Sequence, residues 1–162
     1  MLLIRLAFFL FHRFGTKVFD PLHFQYQLPG SQRFTTEERE VIYRLAYSAL
    51  KAGQTGTARR YFEWLVVYAG AEPRHWRGLA ACAQAGGEPG QALLYWSMVT
   101  LLEPGALDAT LQAGRCQVQL GELQQALATF DLVRRHAPAG APLRQQAEQM
   151  LALLHKRQRQ AA

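Results

Sequence analysis

Residues 73–106 read PRHWRGLAACAQAGGEPGQALLYWSMVTLLEPGA, two alanine-rich apolar runs on either side of Gly86-Gly87-Glu88-Pro89-Gly90. The glycines and the proline mark a turn, and the flanking runs, about 13 to 15 residues each, predict two helices. Outward from this stretch the pattern repeats. Gly87 has counterparts at Gly53 and Gly121, each 34 residues away, and Ala92 has counterparts at Ala58 and Ala126. Trp96 is matched by Phe62 and Phe130, and Val99 by Leu65 and Val133. Before the turn, Leu79 is matched by Leu45 and Ala113, and Ala80 by Ala46 and Gly114. Positions that recur in register three times imply three copies of one hairpin rather than an accident of composition.

Small residues say how the hairpin closes. Ala46, Ala80 and Gly114 face Ala58, Ala92 and Ala126, which lets two antiparallel helix backbones approach closely, while the aromatics fill the wider space between neighbouring hairpins. One hairpin cannot bury its apolar face alone, so stacking is what stabilises it. The pattern resembles the tetratricopeptide repeat. Unit 73–106 carries Trp76, Leu79, Ala80, Ala92, Trp96, Val99 and Pro104 at the signature spacings. Unit 107–140 keeps Gly114, Ala126, Phe130 and Pro138, and unit 39–72 has Gly70 where the closing proline is expected. The fold class implied is all-α: a right-handed solenoid of three helical hairpins with a C-terminal capping helix and an apolar N-terminal helix.

The repeats and their cap are expected to span 35–157. Ahead of them, Thr35-Thr36-Glu37-Glu38 offers a capping box, in which the Thr35 hydroxyl accepts from a free backbone N–H and Glu38 reaches back. Behind them, residues 143–157 carry Leu143, Ala147, Met150, Leu151 and Leu154 at helical spacing, a terminal helix that covers the last hairpin and shows water its polar face. Residues 158–162 read as a polar tail. Residues 1–34 comprise an apolar helix and a linker broken by Pro21 and Pro29-Gly30. The opening MLLIRLAFFLFHR has ten apolar residues among its first eleven. That run would extend roughly 17 Å as a helix, against a hydrocarbon core of about 30 Å, so no stable membrane insertion is expected. A basic n-region and an A-x-A-like site are missing, so it reads poorly as a signal peptide. Three readings of it stay open: packing or self-association, a start codon assigned too far upstream, and contact with a membrane surface.

A chain of 162 residues suits one folded unit. With 49% hydrophobic and 19% charged residues it has material for a core, which argues against global disorder. The net charge of +6 would draw an acidic partner, but it is spread over scattered arginines, with one dense cluster at His155 to Arg159, and no nucleic-acid partner is expected. Cys82 and Cys116 share one repeat position and have no metal-ligand neighbours, so they read as small core residues in a reducing cytosol. His12, His23, His75, His136 and His155 are dispersed without acidic or cysteine partners and read as surface or helix-end residues. No strand precedes the glycine-rich turn and no Lys-Ser/Thr follows it, which argues against phosphate cradling. No catalytic residue, metal or cofactor is therefore expected, and the chain does not read as an enzyme.

What the architecture offers is a curved surface. In a tetratricopeptide array the first helix of each hairpin lines the concave side. The open-face positions are Glu40, Tyr43, Tyr47 and Leu50 in the first unit, Arg74, Arg77, Ala81 and Gln84 in the second, and Asp108, Leu111, Arg115 and Val118 in the third. Tyr43, Tyr47, Leu50, Leu111 and Val118 are larger and more apolar than a solvated face requires. Either they pack between hairpins or something covers them. A groove so lined would take an extended peptide, its side chains entering pockets and its backbone held by Arg77, Arg115 or Gln84.

Beyond the generic repeat, Tyr43-x-Leu45-Ala46-Tyr47, Gly78-Leu79-Ala80-Ala81-Cys82, Ala113-Gly114-Arg115-Cys116 leading into Gly121-Glu122, and the terminal LRQQAEQMLALL carry a likeness over roughly residues 36–157. In these the chain is similar to the class II chaperones of bacterial type III secretion systems. The resemblance implies a cytosolic, ATP-independent chaperone that holds an extended segment of hydrophobic secreted translocator proteins in its groove and keeps them soluble before export. It places Tyr43, Tyr47 and Leu50 in the pocket, with Arg77 and Ala81 beside it, and implies a homodimer through the N-terminal segment. This chain departs from the family in that segment, which is nearly all apolar where members begin polar and then amphipathic. The competing reading is a tetratricopeptide scaffold for protein assembly, tethered to a membrane by its N-terminus.

Overall fold

The computed structural model describes residues 33–161. Seven helices and no strand are found among the described residues: α1 (Thr36–Lys51), α2 (Thr55–Ala69), α3 (Pro73–Ala85), α4 (Pro89–Leu102), α5 (Leu107–Gln119), α6 (Leu123–His136) and α7 (Pro142–Ala161). The expected N-terminal helix and most of the linker lie outside the described residues. Local chemistry sets the boundaries. The Thr35 hydroxyl accepts from the Glu38 N–H at 3.2 Å, and the Glu38 carboxylate accepts from the Thr35 N–H at 2.7 Å, which closes the capping box. Helices α3 and α4 open on Pro73 and Pro89, where a missing N–H leaves no helical bond unmade. Within each hairpin the first helix ends on a glycine with positive φ: Gly53 at 73°, Gly87 at 69° and Gly121 at 77°. An added Cβ at any of them would meet nothing within 4 Å, so the backbone's handedness and not crowding demands glycine there.

Consecutive helices pack antiparallel, and each core is shared between a hairpin and the helix that follows it. Ala46, Ala49, Ala58, Phe62 and Leu65 of the first hairpin meet Leu79 and Cys82 of α3. Ala80, Ala83, Ala92, Trp96 and Val99 of the second meet Ala109, Ala113 and Cys116 of α5. Leu111, Ala126, Phe130 and Val133 of the third meet Ala147 and Leu154 of α7. The terminal helix thus does for the last hairpin what a further first helix would do. Both thiols are fully buried, and burial pushes their pKa up, which suits inert core residues.

Two expectations are corrected. Helix α7 runs to Ala161, through most of the stretch expected as a polar tail. Residues 156–160 are Lys, Arg and Gln, good helix formers with no breaker among them, and Arg159 in the last turn complements the helix dipole. His75 is not a surface residue: it is 1% exposed, with Nδ1 3.0 Å from the Ala69 carbonyl oxygen and Nε2 buried without a partner. Its position on α3 faces the preceding hairpin. Burial pushes its pKa down, only partly opposed by the bond to Ala69, which favours the neutral ring. His136 and His155 are exposed, and His12 and His23 lie outside the described residues.

Candidate functional site

Helix α1 lies against α3 as well as α2, and α5 against α7 as well as α6, so the first helices of the hairpins make the inner row of the array. On α1, Tyr43 and Tyr47 stand one turn apart with their rings stacked, 6.4 Å between centroids and 17° between planes. Tyr43 is half-buried and braced: Phe62 meets it edge-on at 6.0 Å, and the Arg74 guanidinium lies 4.5 Å from its ring centre. Tyr47 is 50% exposed, with the Lys51 ammonium 5.9 Å from its ring. Leu50, half-buried, follows on the same face. The result is an apolar step at the first hairpin, fixed at Tyr43 and open at Tyr47.

From there the inner row turns polar, and its polar groups bind partners on neighbouring elements. Arg74 donates to Glu40 at 2.8 Å. Arg77 donates to Glu103 at 2.9 Å and also to Asp108. Gln84 donates to Gln112 at 3.3 Å, and Arg115 to Gln146 of α7 at 2.9 Å. The hydrogen bond from Arg74 holds the Glu40 carboxyl below its ordinary range. Asp108 is likewise held low by Arg77, against the opposing effect of burial. Arg77, Gln84 and Arg115, read from the sequence as holders of a peptide backbone, therefore have partners within the chain. A guanidinium has five N–H donors and can serve both.

Tyr43, Tyr47 and Leu50 come together at one end of the row. Ala81 is half-buried and Gln84 exposed in the middle, and Arg115 and Val118 are half-buried on α5. Leu111 is a correction. It is 1% exposed and sits in the third core with Phe130, Val133, Ala147 and Leu154. The rule that places its position on an open face assumes a following hairpin, whereas here α7 ends the array and closes over it. Arg74 and Lys51, which frame the tyrosines, were missed as such. One signal was available, since Arg74 follows Glu40 by one repeat and opposite charges at equivalent positions predict a pair. No cluster of three or more metal-binding side chains occurs among the described residues, and no described helix is long and apolar enough to cross a membrane.

Three stacked hairpins with a capping helix and a partly apolar inner row define a tetratricopeptide-repeat array. No protein-family model matches the chain. The low calcium response locus protein H of Yersinia pestis is 28% identical over 92 residues, which are 57% of this chain and 55% of that protein. The protein of the same description from Yersinia pseudotuberculosis matches identically, so the chain spans about half the length of the curated relatives it matches. Among solved structures, PcrH, known from Pseudomonas aeruginosa, in complex with the chaperone binding region of PopD superposes with a TM-score of 0.71 at 28% identity, over 77% of this chain and 96% of that one. The Yersinia enterocolitica type III secretion chaperone SycD in complex with a peptide of the translocator YopD gives 0.70 at 25% identity, over 76% and 97%. In sequence and in fold the chain resembles the translocator chaperones of type III secretion systems.

Proposed function

We propose that this protein is a chaperone for type III secretion translocators, holding an extended segment of a hydrophobic client along its inner row. The observation that carries the reading is the stacked Tyr43–Tyr47 pair beside Leu50: one half-buried and one half-exposed aromatic, a turn apart on the inner row of the array. Such a step anchors the apolar side chains of a strand-like peptide, and Ala81, Gln84, Arg77, Arg115 and Val118 would line its onward path. PcrH and SycD, similar to this chain over most of its described length, are seen in complex with the chaperone binding region of PopD and with a peptide of the translocator YopD respectively, which supports the reading. Binding of this kind requires no catalytic group, cofactor or ATP, and the reading places the protein in the bacterial cytoplasm, acting before export, with a homodimer as its free state.

Co-expression tests it. A pore-forming translocator that is insoluble alone should become soluble as a complex with the full chain. Tyr47→Glu with Leu50→Glu should abolish that complex while the far-ultraviolet helical signal is unchanged. Retention of the complex by this variant would remove the tyrosine step from the mechanism.

A further inference from the structure

One guanidinium of the inner row has no carboxylate to answer it. Arg77 and Arg115 each reach 31 residues forward to the next inner helix, Arg77 donating to Asp108 and Arg115 to Gln146. The first acceptor is a carboxylate and the second a neutral amide. Helices α3, α5 and α7 contain only two acids between them, Asp108 and Glu148. Asp108 is taken by Arg77, and Glu148 by Arg144, one turn earlier on α7, at 3.0 Å. Among the described residues Arg115 is therefore left without an acid, and only its Nη2 makes a hydrogen bond, at 2.9 Å to Gln146 Oε1. The other polar groups at this end of the row are amides: Gln84, whose Nε2 donates to Gln112, and Gln146, whose Nε2 makes no hydrogen bond among the described residues. A half-buried guanidinium gains more from an ionised acceptor than from an amide, because charge-assisted bonds are shorter and roughly twice as strong.

We infer that Arg115 is a carboxylate-binding position for the held segment, so that the groove selects an extended peptide with an acidic side chain at a set distance from its apolar anchors. This selectivity rests on the reading that the inner row holds a client, and adds what that client must carry. Tyr47, Ala81 and Arg115 occupy one repeat position, 34 residues apart, so a segment laid along the row meets them in turn. At Tyr47 it meets the exposed aromatic step, at Ala81 a methyl group that lets its backbone come close, and at Arg115 a cation. Packed helices lie about 8 to 10 Å apart, so two steps of the row span about 20 Å, or about six residues of extended chain. One carboxylate oxygen can accept from the Nε or Nη1 donors that Arg115 keeps free, and the other from Gln146 Nε2. The amide that meets the cation thus becomes a second donor to the acid rather than a competitor for it. Because Arg115 and Gln146 are half-buried, salt screens such a pair less than it screens surface ion pairs.

Fluorescence anisotropy with the full chain and synthetic peptides tests it. Each labelled peptide is an extended alanine–proline segment with two leucine anchors and a single variable residue, Glu, Gln or Lys, moved from about three to about nine residues away on either side of the anchors. The expected result is that Glu, at a spacing near six, binds about tenfold tighter than Gln there, with Lys weaker than Gln and no preference at the other spacings. Arg115→Gln should bring the Glu peptide to the affinity of the Gln peptide and leave the Gln peptide unchanged, which loss of a merely structural contact would not do. Gln146→Glu should also abolish the preference with Arg115 intact, because it supplies the carboxylate from within the chain, and its urea midpoint should not fall. Arg60→Gln, which removes the same charge from an exposed position on α2, should keep the preference. Equal binding of Glu, Gln and Lys peptides at every spacing, or an equal loss of preference in Arg115→Gln and Arg60→Gln, would overturn the carboxylate site and leave the apolar anchoring standing. If no leucine peptide binds in a way that Tyr47→Glu with Leu50→Glu weakens, the client reading falls and the carboxylate site falls with it.

Discussion

Phe130 is completely buried against Gly114, where an added Cβ would lie 2.7 Å from its Cε1. In an exposed helix alanine outranks glycine by about 1 kcal/mol. Here the ring has nowhere to go, and overpacking of this kind costs about 1 to 3 kcal/mol. Gly114→Ala is therefore expected to destabilise the fold despite its better propensity, seen as a lower midpoint in urea. Gly87→Ala should cost about 1 kcal/mol by a different route, since space is free and only the left-handed backbone resists. His75 adds a pH dependence. Burial holds its pKa below the ordinary 6.5, so the unfolded chain takes up the proton first. The stability contributed by the neutral ring is whole above about pH 7 and declines as the pH falls through the ordinary histidine range. Urea midpoints measured from pH 7.5 to 5.5 should fall, and His75→Asn, which keeps a donor near Ala69 but does not titrate, should flatten that part of the profile.

Among the elements, α5 shows how the end of an array changes the meaning of a position. Arg77 and Leu111 are equivalents one repeat apart; the first is partly exposed and salt-bridged, and the second is sealed by α7. Leu111→Ala should cost about 2 to 4 kcal/mol of stability through the cavity it leaves, while a translocator peptide binds the folded variant with unaltered affinity in titration calorimetry. A drop in affinity without loss of stability would return Leu111 to the groove. This is also where the reading of the sequence stops. The hairpins were legible because the period of 34 carries both the small residues of the close approach and the left-handed glycines, and the Thr35–Glu38 cap because it is local. Leu111 and His75 were not, because their burial depends on a neighbouring layer, α7 in one case and the preceding hairpin in the other. The extent of α7 was missed because charged and amide side chains read as tail as easily as helix.

At the scale of the whole molecule, the inner row divides its labour. Its middle and far end are tied by Glu40–Arg74, Arg77 with Glu103 and Asp108, and Arg115–Gln146, each joining elements that the local helical bonds leave separate. Its near end holds the exposed aromatic surface. Curvature should then depend on the ladder and affinity on the tyrosine step, so the two are separable by substitution. Tyr47→Ala should weaken a translocator peptide by about tenfold, about 1.4 kcal/mol, and leave the urea midpoint nearly unchanged, because the side chain is half in water already. Arg77→Ala should do the reverse. Its side chain is 28% and its partners' 52% exposed, so loss of the bridge costs the fold no more than about 1 kcal/mol, with a smaller change in affinity. Raising salt from 0.05 to about 0.5 M should weaken the ladder and leave the tyrosine anchor alone, so peptide affinity should hold while the urea midpoint of the unmodified chain falls and that of Arg77→Ala falls less. Peptide titrations by fluorescence anisotropy, beside unfolding curves on the same samples, measure both. If Arg77→Ala weakened the peptide more than Tyr47→Ala at equal stability, the client would be held by its backbone rather than by apolar side chains, and the inner row would not divide its labour in this way.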